Sequence, residues 1–261
     1  MRPSLRDYRR IEARHAPWRV PAVTAAVGVA IVVLTHFLFL RMPQQVITFM
    51  KHAFQLQDMG GVLLANDYMA VYLIVFFVGV TGMLGVVVTA REEHQLELLL
   101  SKPIRPAQFL SARTWPVIAS TSGVGLVMAL TCALAIHPYT GEGASVTALG
   151  AFGASLMLSA IALLLLSLLN VLFLWVRDGF HALLIAFVLW FLPMLPTATY
   201  LYRPDLFEGR DSLKATTVMV NLVWYDATFA WLGPLAFGGA LVGAALFIWL
   251  GGAVLARTDV R

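Results

Sequence analysis

The side chains that could do chemistry or bind a partner are concentrated in one charged segment of the sequence, residues 91–113. Read as a helix, the first half of this segment carries a stripe of leucines, with Glu93 and Glu97 one turn apart along its edge. The leucines of the stripe are Leu96, Leu99 and Leu100. Pro103 then interrupts the helix, and a second short helix is expected from Pro106.

This pattern of helix, break and helix has two interpretations. An exposed leucine stripe is typical of a surface that docks against another protein. An amphipathic helix that packs under its own bundle produces the same pattern. In both interpretations the segment binds and does not catalyse.

Residues suited to catalysis or metal binding do not converge elsewhere in the sequence. His36, His137 and His181 lie near the ends of long apolar stretches, and we interpret them as interfacial. Asn170 is the one strongly polar residue well inside such a stretch, and we expect it to hydrogen-bond a neighbouring helix. Ionisable residues are otherwise almost absent there, and HExxH does not occur. We therefore predict no catalytic residue and no metal site.

Composition decides which elements must position these residues. Hydrophobic residues make up 60% of the 261 residues and charged residues only 12%, about half the share of an average soluble chain. Too few polar residues remain to cover the apolar surface of a soluble fold. Cys132 is the single cysteine, which excludes an internal disulfide. The sequence predicts an all-α integral membrane protein.

Six long stretches without charged residues mark the predicted membrane spans. Each is long enough for one helix of about 20 residues, the length needed to cross the apolar core of a bilayer. The predicted spans are 20–40, 68–90, 114–136, 147–174, 180–199 and 232–255.

The basic residues predict the orientation of these spans. If both termini lie on one side, that side carries 13 of the 18 lysines and arginines, whereas the acidic residues divide evenly. Both termini and the 91–113 loop are therefore predicted to be cytoplasmic.

The N-terminal residues before the first span are predicted to form a short amphipathic helix on the membrane surface. Arg6, Arg10 and Arg14 fall on one face, opposite an apolar face. Such a helix would hold its arginines near anionic lipid headgroups. A basic tail without structure is the alternative.

The charged loop resembles a segment of ABC-2 type transporter permeases, in which an acidic stretch ends in a pattern like E-x-G-T-x-E-x-L-L-S-x-P-I. The residues that fit this pattern are Glu97, Leu99, Leu100, Ser101, Pro103 and Ile104, and Arg113 matches a basic residue before the third span. Two positions depart from the pattern, because His94 replaces glycine and Gln95 replaces threonine. Six spans, cytoplasmic termini and an N-terminal surface helix agree with the same resemblance.

The resemblance implies a permease subunit with the ABC-2 type fold over residues 1–261, located in the plasma membrane, which in bacteria is the inner membrane. Two such chains, identical or similar, would form the transport core. A separate soluble ATPase would hold ATP and Mg²⁺ and dock on the coupling loop 91–113. The residues implied in coupling are Glu93, Glu97, Leu99, Leu100 and Pro103. Membrane lipids are implied partners, and nucleic acid is not.

The sequence agrees with this division of labour, because no G-x-x-x-x-G-K-[ST] loop occurs and the chain lacks the usual cradle for ATP phosphates. No cofactor is expected on the chain itself. Apolar spans favour export or flipping of an apolar or amphipathic substrate. Two other classes stay open: a membrane-embedded lipid-modifying enzyme, and a membrane anchor that tethers an ATPase complex without transport.

Overall fold

The computed structural model describes residues 18–54, 59–93, 106–141, 144, 146–176, 178–214, 217, 221–223 and 225–257. In this part of the chain the regular structure is helical, with no strand. Its longer helices are α1 (Arg19–Phe39), α2 (Gln44–Phe54), α3 (Met59–Glu92), α4 (Pro106–Ile136), α5 (Ala148–Leu172), α6 (Gly179–Phe191), α7 (Leu195–Tyr202) and α8 (Asp226–Leu255). The predicted all-α class is confirmed for these residues.

Six helical segments are long and apolar enough to cross a membrane, as the charge-free stretches predict. They are formed by α1, α3, α4, α5, α8 and the pair α6–α7. This architecture is compatible with a multi-pass membrane protein. Arg6, Arg10 and Arg14 lie outside the described residues, so the N-terminal surface helix stays a prediction.

Several helices are longer than the spans predicted from charge. The helix α3 has 34 residues and begins at Met59, not near 68, and α4 begins at Pro106, not near 114. At 1.5 Å per residue α3 is about 51 Å long, against about 30 Å for the apolar core of a bilayer. A charge-free stretch marks only the part of a helix that lies among lipid tails, whereas the helix itself continues to the headgroups.

The fifth span is interrupted, as its two prolines predict. The helix α6 ends at Phe191, a short 3₁₀ turn covers Leu192–Met194, and α7 continues from Leu195. Pro193 lies in this turn and Pro196 in the first turn of α7. The path of the backbone therefore changes towards the end of this span.

The helices α3 and α5 form the centre of the bundle. In each of them 67% of the most apolar stretch is buried, against 22% in α1 and in the α6–α7 segment. The closest helix contact joins α5 to α8, because a Cβ atom on Gly233 would overlap the backbone of Gly153. Glycine is required there for the two backbones to meet.

Candidate coupling site at the basic end of the bundle

One end of the bundle, here called the basic end, is formed by the N-termini of α1 and α4 and the C-termini of α3 and α8. It carries Arg19, Arg91, Arg113 and Arg257. The predicted coupling loop connects α3 to α4 at this end. Of its predicted site residues, Glu93 is described and is exposed in the turn that follows α3. Glu97, Leu99, Leu100 and Pro103 lie outside the described residues.

Arg91 anchors the beginning of the loop to the connection between α5 and α6. Its guanidinium donates one hydrogen bond to the carbonyl of Leu174, at 2.8 Å, and another to the carbonyl of Val176. These carbonyls follow the last turn of α5, where helical carbonyls lack intrahelical partners. The arginine therefore holds the end of α3 against the end of α5.

Glu92 makes a second link from α3, to the first residue of α6. Its Oε1 accepts a hydrogen bond from the backbone N–H of Gly179, at 2.8 Å. Asp178 caps the same helix, because its Oδ1 accepts the backbone N–H of His181 at 3.0 Å. Two carboxylates thus lie at the N-terminus of α6, where the helix dipole favours negative charge.

Asp178 also pairs with the side chain of His181, whose Nδ1 lies 2.7 Å from Oδ2. The hydrogen bonds from the backbone and then from the ring of His181 hold the pKa of Asp178 below its usual value. The carboxylate is therefore charged at neutral pH and serves as a stable cap for α6.

The C-terminal end of the predicted coupling loop, where the chain enters α4, packs against the last turns of α8. Ala107, in the first turn of α4, is so close that a Cβ on Gly252 would lie 2.6 Å from its Cα. Phe109 and Leu110 are buried directly after it. Both ends of the predicted coupling loop therefore contact other helices of the bundle.

Arg113 links α4 to α3 one turn further along. Its Nη1 donates to the carbonyl of Val86 at 3.4 Å, and its guanidinium carbon lies 5.6 Å from the centre of the Phe109 ring. The second contact has the geometry of a cation–π interaction.

The contacts at this end link the 91–113 segment to several helices of the bundle. A force on the 91–113 segment would reach α3 and α4 directly, and would reach α5 and α6 through Arg91 and Glu92. Among the described residues no group of three histidine, cysteine or acidic side chains is placed to hold a metal ion.

A buried hydrogen-bonded pair of side chains at the opposite end of the bundle was not predicted from the sequence. His36 Nε2 of α1 lies 2.7 Å from Oδ2 of Asp67, which is completely buried in α3. The sequence places His36 near the end of its span, and the structure adds that its side chain is buried against Asp67 of α3. Asp67 looked like the boundary of a span, although the apolar run 62–65 just before it shows that the helix continues.

Asp226 is the second buried carboxylate at that end, and it joins α8 to α5. Its Oδ2 accepts hydrogen bonds from the hydroxyl of Thr147, at 2.6 Å, and from the backbone N–H of the same residue, at 3.0 Å. Thr147 in turn caps α5 by accepting the N–H of Gly150 at 2.9 Å. Asn170 is buried, but the predicted hydrogen bond to a neighbouring helix is not formed, because its amide atoms have no partner among the described residues.

Comparison of the chain with protein-family models, curated proteins and solved structures found no match.

Proposed function

We propose that this chain is the transmembrane subunit of an ABC-2 type transporter that exports or flips an apolar or amphipathic substrate. The observation that carries the proposal is the anchoring of the 91–113 segment at both of its ends. Arg91 and Glu92 link one end of the segment to the α5–α6 connection, and Ala107 near the other end packs against Gly252 of α8. Six helices apolar enough to span a membrane support the same function.

The energy would come from a separate soluble ATPase subunit that holds ATP and Mg²⁺ and docks on the loop through Glu93, Glu97, Leu99, Leu100 and Pro103. Closure of the ATPase would push the loop towards the membrane. Because the loop is continuous with α3 and α4 and is anchored to α5, α6 and α8, the push would act on these helices rather than bend the loop alone. No catalytic residue and no bound cofactor are assigned to this chain.

The transport core would contain a second permease chain, identical or similar. The outward apolar faces of α1 and α6 support this, because they carry the large exposed hydrophobic side chains expected to face lipid or another span. We place both termini and the basic end in the cytoplasm, and the chain in the plasma membrane (the inner membrane in bacteria), because the basic residues are concentrated at this end.

Copurification from native membrane tests the proposal. The tagged chain is solubilised in mild detergent, and the proteins that remain bound are identified by mass spectrometry. We expect a stoichiometric soluble protein that contains a nucleotide-binding loop. Repeated isolation of the chain alone, while a tagged ABC complex of known composition survives the same detergent, would contradict it.

Two other functions predict different results after copurification. A non-transporting anchor would bind the ATPase, but its ATP hydrolysis would not respond to added apolar or amphipathic compounds. A membrane-embedded lipid-modifying enzyme would alter lipids without any ATPase. Stimulation of ATP hydrolysis by such compounds in reconstituted vesicles, with unchanged lipids, is the result that the transporter requires.

A further inference from the structure

A cavity of about 240 Å³ lies in the basic half of the bundle, between α1, α3 and α4. Trp18, just before α1, and Arg113 of α4 line the part of the cavity nearest the basic end, here called its mouth. From Val86 it follows α3 as far as Val78, which is about 12 Å along the helix. The cavity thus begins among the basic residues and extends towards the middle of the span.

Glycines of α3 create the room for this cavity. A Cβ atom on Gly85 would meet no atom within 4 Å, so the space above Gly85 is open. A Cβ on Gly82 would lie 2.5 Å from Cγ1 of Val117, so the wall from α4 closes over the helix there. Val78 and Val86 are buried and form an apolar floor.

The lining is mostly apolar. The hydroxyls of Thr81 and Ser120 donate to the carbonyls of Val78 and Val117 in their own helices, at 2.8 and 3.0 Å. Both hydroxyl protons are therefore already engaged in hydrogen bonds within the protein. Arg113 is the one charged residue among the described residues of the lining. Its contacts with the Val86 carbonyl and the Phe109 ring hold the guanidinium at the mouth.

This distribution of polarity selects one chemical class of ligand. A narrow apolar slot with a guanidinium at its entrance matches an acyl chain that carries an anionic head. Pockets that enclose a whole drug-sized ligand measure about 300–1,000 Å³, so this slot holds part of one chain and leaves the head outside. Trp18, which is 45% exposed at the mouth, is a residue type enriched at headgroup depth.

We propose that the cavity binds an anionic phospholipid of the leaflet at the basic end. One acyl chain lies between α3 and α4, and the phosphate contacts Arg113. The site belongs to a single chain, so it does not depend on the transporter function. Failure of one proposal would leave the other standing.

Native mass spectrometry of the whole chain tests the site. The protein is reconstituted in bilayers of equal parts phosphatidylglycerol and phosphatidylcholine, extracted in mild detergent, and the lipids that stay bound are counted. We expect retained phosphatidylglycerol in excess of phosphatidylcholine. Gly85→Leu fills the slot and should abolish this retention. Gly239→Leu is the matched control, because a Cβ there also meets no atom within 4 Å and lies outside the lining.

The charge is tested separately. Arg113→Gln should lower the retention of phosphatidylglycerol about tenfold, the loss expected for one charge-assisted contact, and leave phosphatidylcholine unchanged. Arg257→Gln removes an exposed charge from the same end and should leave both unchanged.

Two outcomes would overturn the proposal. Equal lipid retention by Gly85→Leu and Gly239→Leu would place the lipid on the outer surface of the bundle. Unchanged preference for phosphatidylglycerol in Arg113→Gln would remove the role of the guanidinium. All variants are compared by helical content and elution volume. Should Gly85→Leu not insert, Ser120→Leu fills the slot from α4, and the same two outcomes apply.

Discussion

The side chain of Arg91 joins elements that are distant in sequence. It reaches the carbonyls of Leu174 and Val176 from the last turn of α3. A planar guanidinium can serve two carbonyls at once, whereas the compact ammonium of lysine does not reproduce this fork. The geometry therefore depends on the shape of the group as well as on its charge.

We expect Arg91→Lys to lower the free energy of unfolding by about 1.5 kcal/mol, because hydrogen bonds from a charged donor are lost while the charge is retained. Unfolding in mixed detergent micelles, followed by circular dichroism, measures this. Arg257→Lys is the control, because Arg257 is exposed at the same end, and it should change stability by less than about 0.5 kcal/mol. Equal losses in the two variants would show that Arg91 does not anchor the loop.

The buried pair of His36 and Asp67 makes a second prediction at this scale. His36→Leu leaves the carboxylate of Asp67 buried without its partner, and we expect a loss of about 3 kcal/mol. The double variant His36→Leu with Asp67→Leu removes both groups and should recover most of this loss. The measurement is the free energy of unfolding of the single and the double variant.

His137→Leu provides the matched control for this pair, because His137 is exposed at the same end of the bundle. It should unfold like the unmodified chain. A double variant that is less stable than His36→Leu would contradict a pairwise interaction between His36 and Asp67.

At the scale of elements, the sequence predicted the number and type of the spans but not their ends. The reason is visible in α3, whose first turns contain apolar residues before Asp67 and extend the helix beyond the charge-free stretch. The proline break in the fifth span was predictable, because proline removes a backbone donor at a known position.

The candidate site was predicted only in part. The charged loop was identified from its own residues. Its anchors were not, because the partners of Arg91 are backbone carbonyls 83 and 85 residues further along the chain, and a carbonyl has no sequence signature. The pairing of His36 with Asp67 depends equally on which faces α1 and α3 turn to each other.

We expect Gly252→Val to disturb the seat of the loop on α8. The new side chain would meet the backbone of Ala107, so α4 and α8 would have to separate. Overpacking of this kind costs about 2 kcal/mol. Gly239→Val is the control, because a side chain there meets open space. The measurement is the midpoint of thermal unfolding of the two variants. Equal midpoints would contradict close packing at Gly252.

At the scale of the whole molecule, α3 and α5 form a buried centre, and α1 and α6 form an apolar rim around it. The rim must be covered by lipid or by another chain. Glu93, where the predicted coupling loop begins, is exposed at the basic end.

We expect Glu97→Arg and Leu99→Asp to leave the chain inserted but to uncouple it from its ATPase. A change at a docking hot spot costs about 2 kcal/mol, or about thirtyfold in affinity. The measurement is substrate-stimulated ATP hydrolysis by the assembled complex. Glu208→Arg, at an exposed residue of the opposite end, is the control and should keep full activity. Full stimulation in both loop variants would show that the loop is not the docking site.

The helix α3 is long and continuous enough to tilt as one rigid element. The helix contains no proline, and near its middle Gly79 packs so closely against Leu166 that an added Cβ would overlap the end of the leucine side chain. Asp67 and Arg91 lie at equal distances on either side of Gly79, about 18 Å each. A tilt about Gly79 would move Asp67 and Arg91 by equal amounts in opposite directions. Under the proposed function, a stroke at the basic end would therefore reach the opposite end of the bundle through α3 itself.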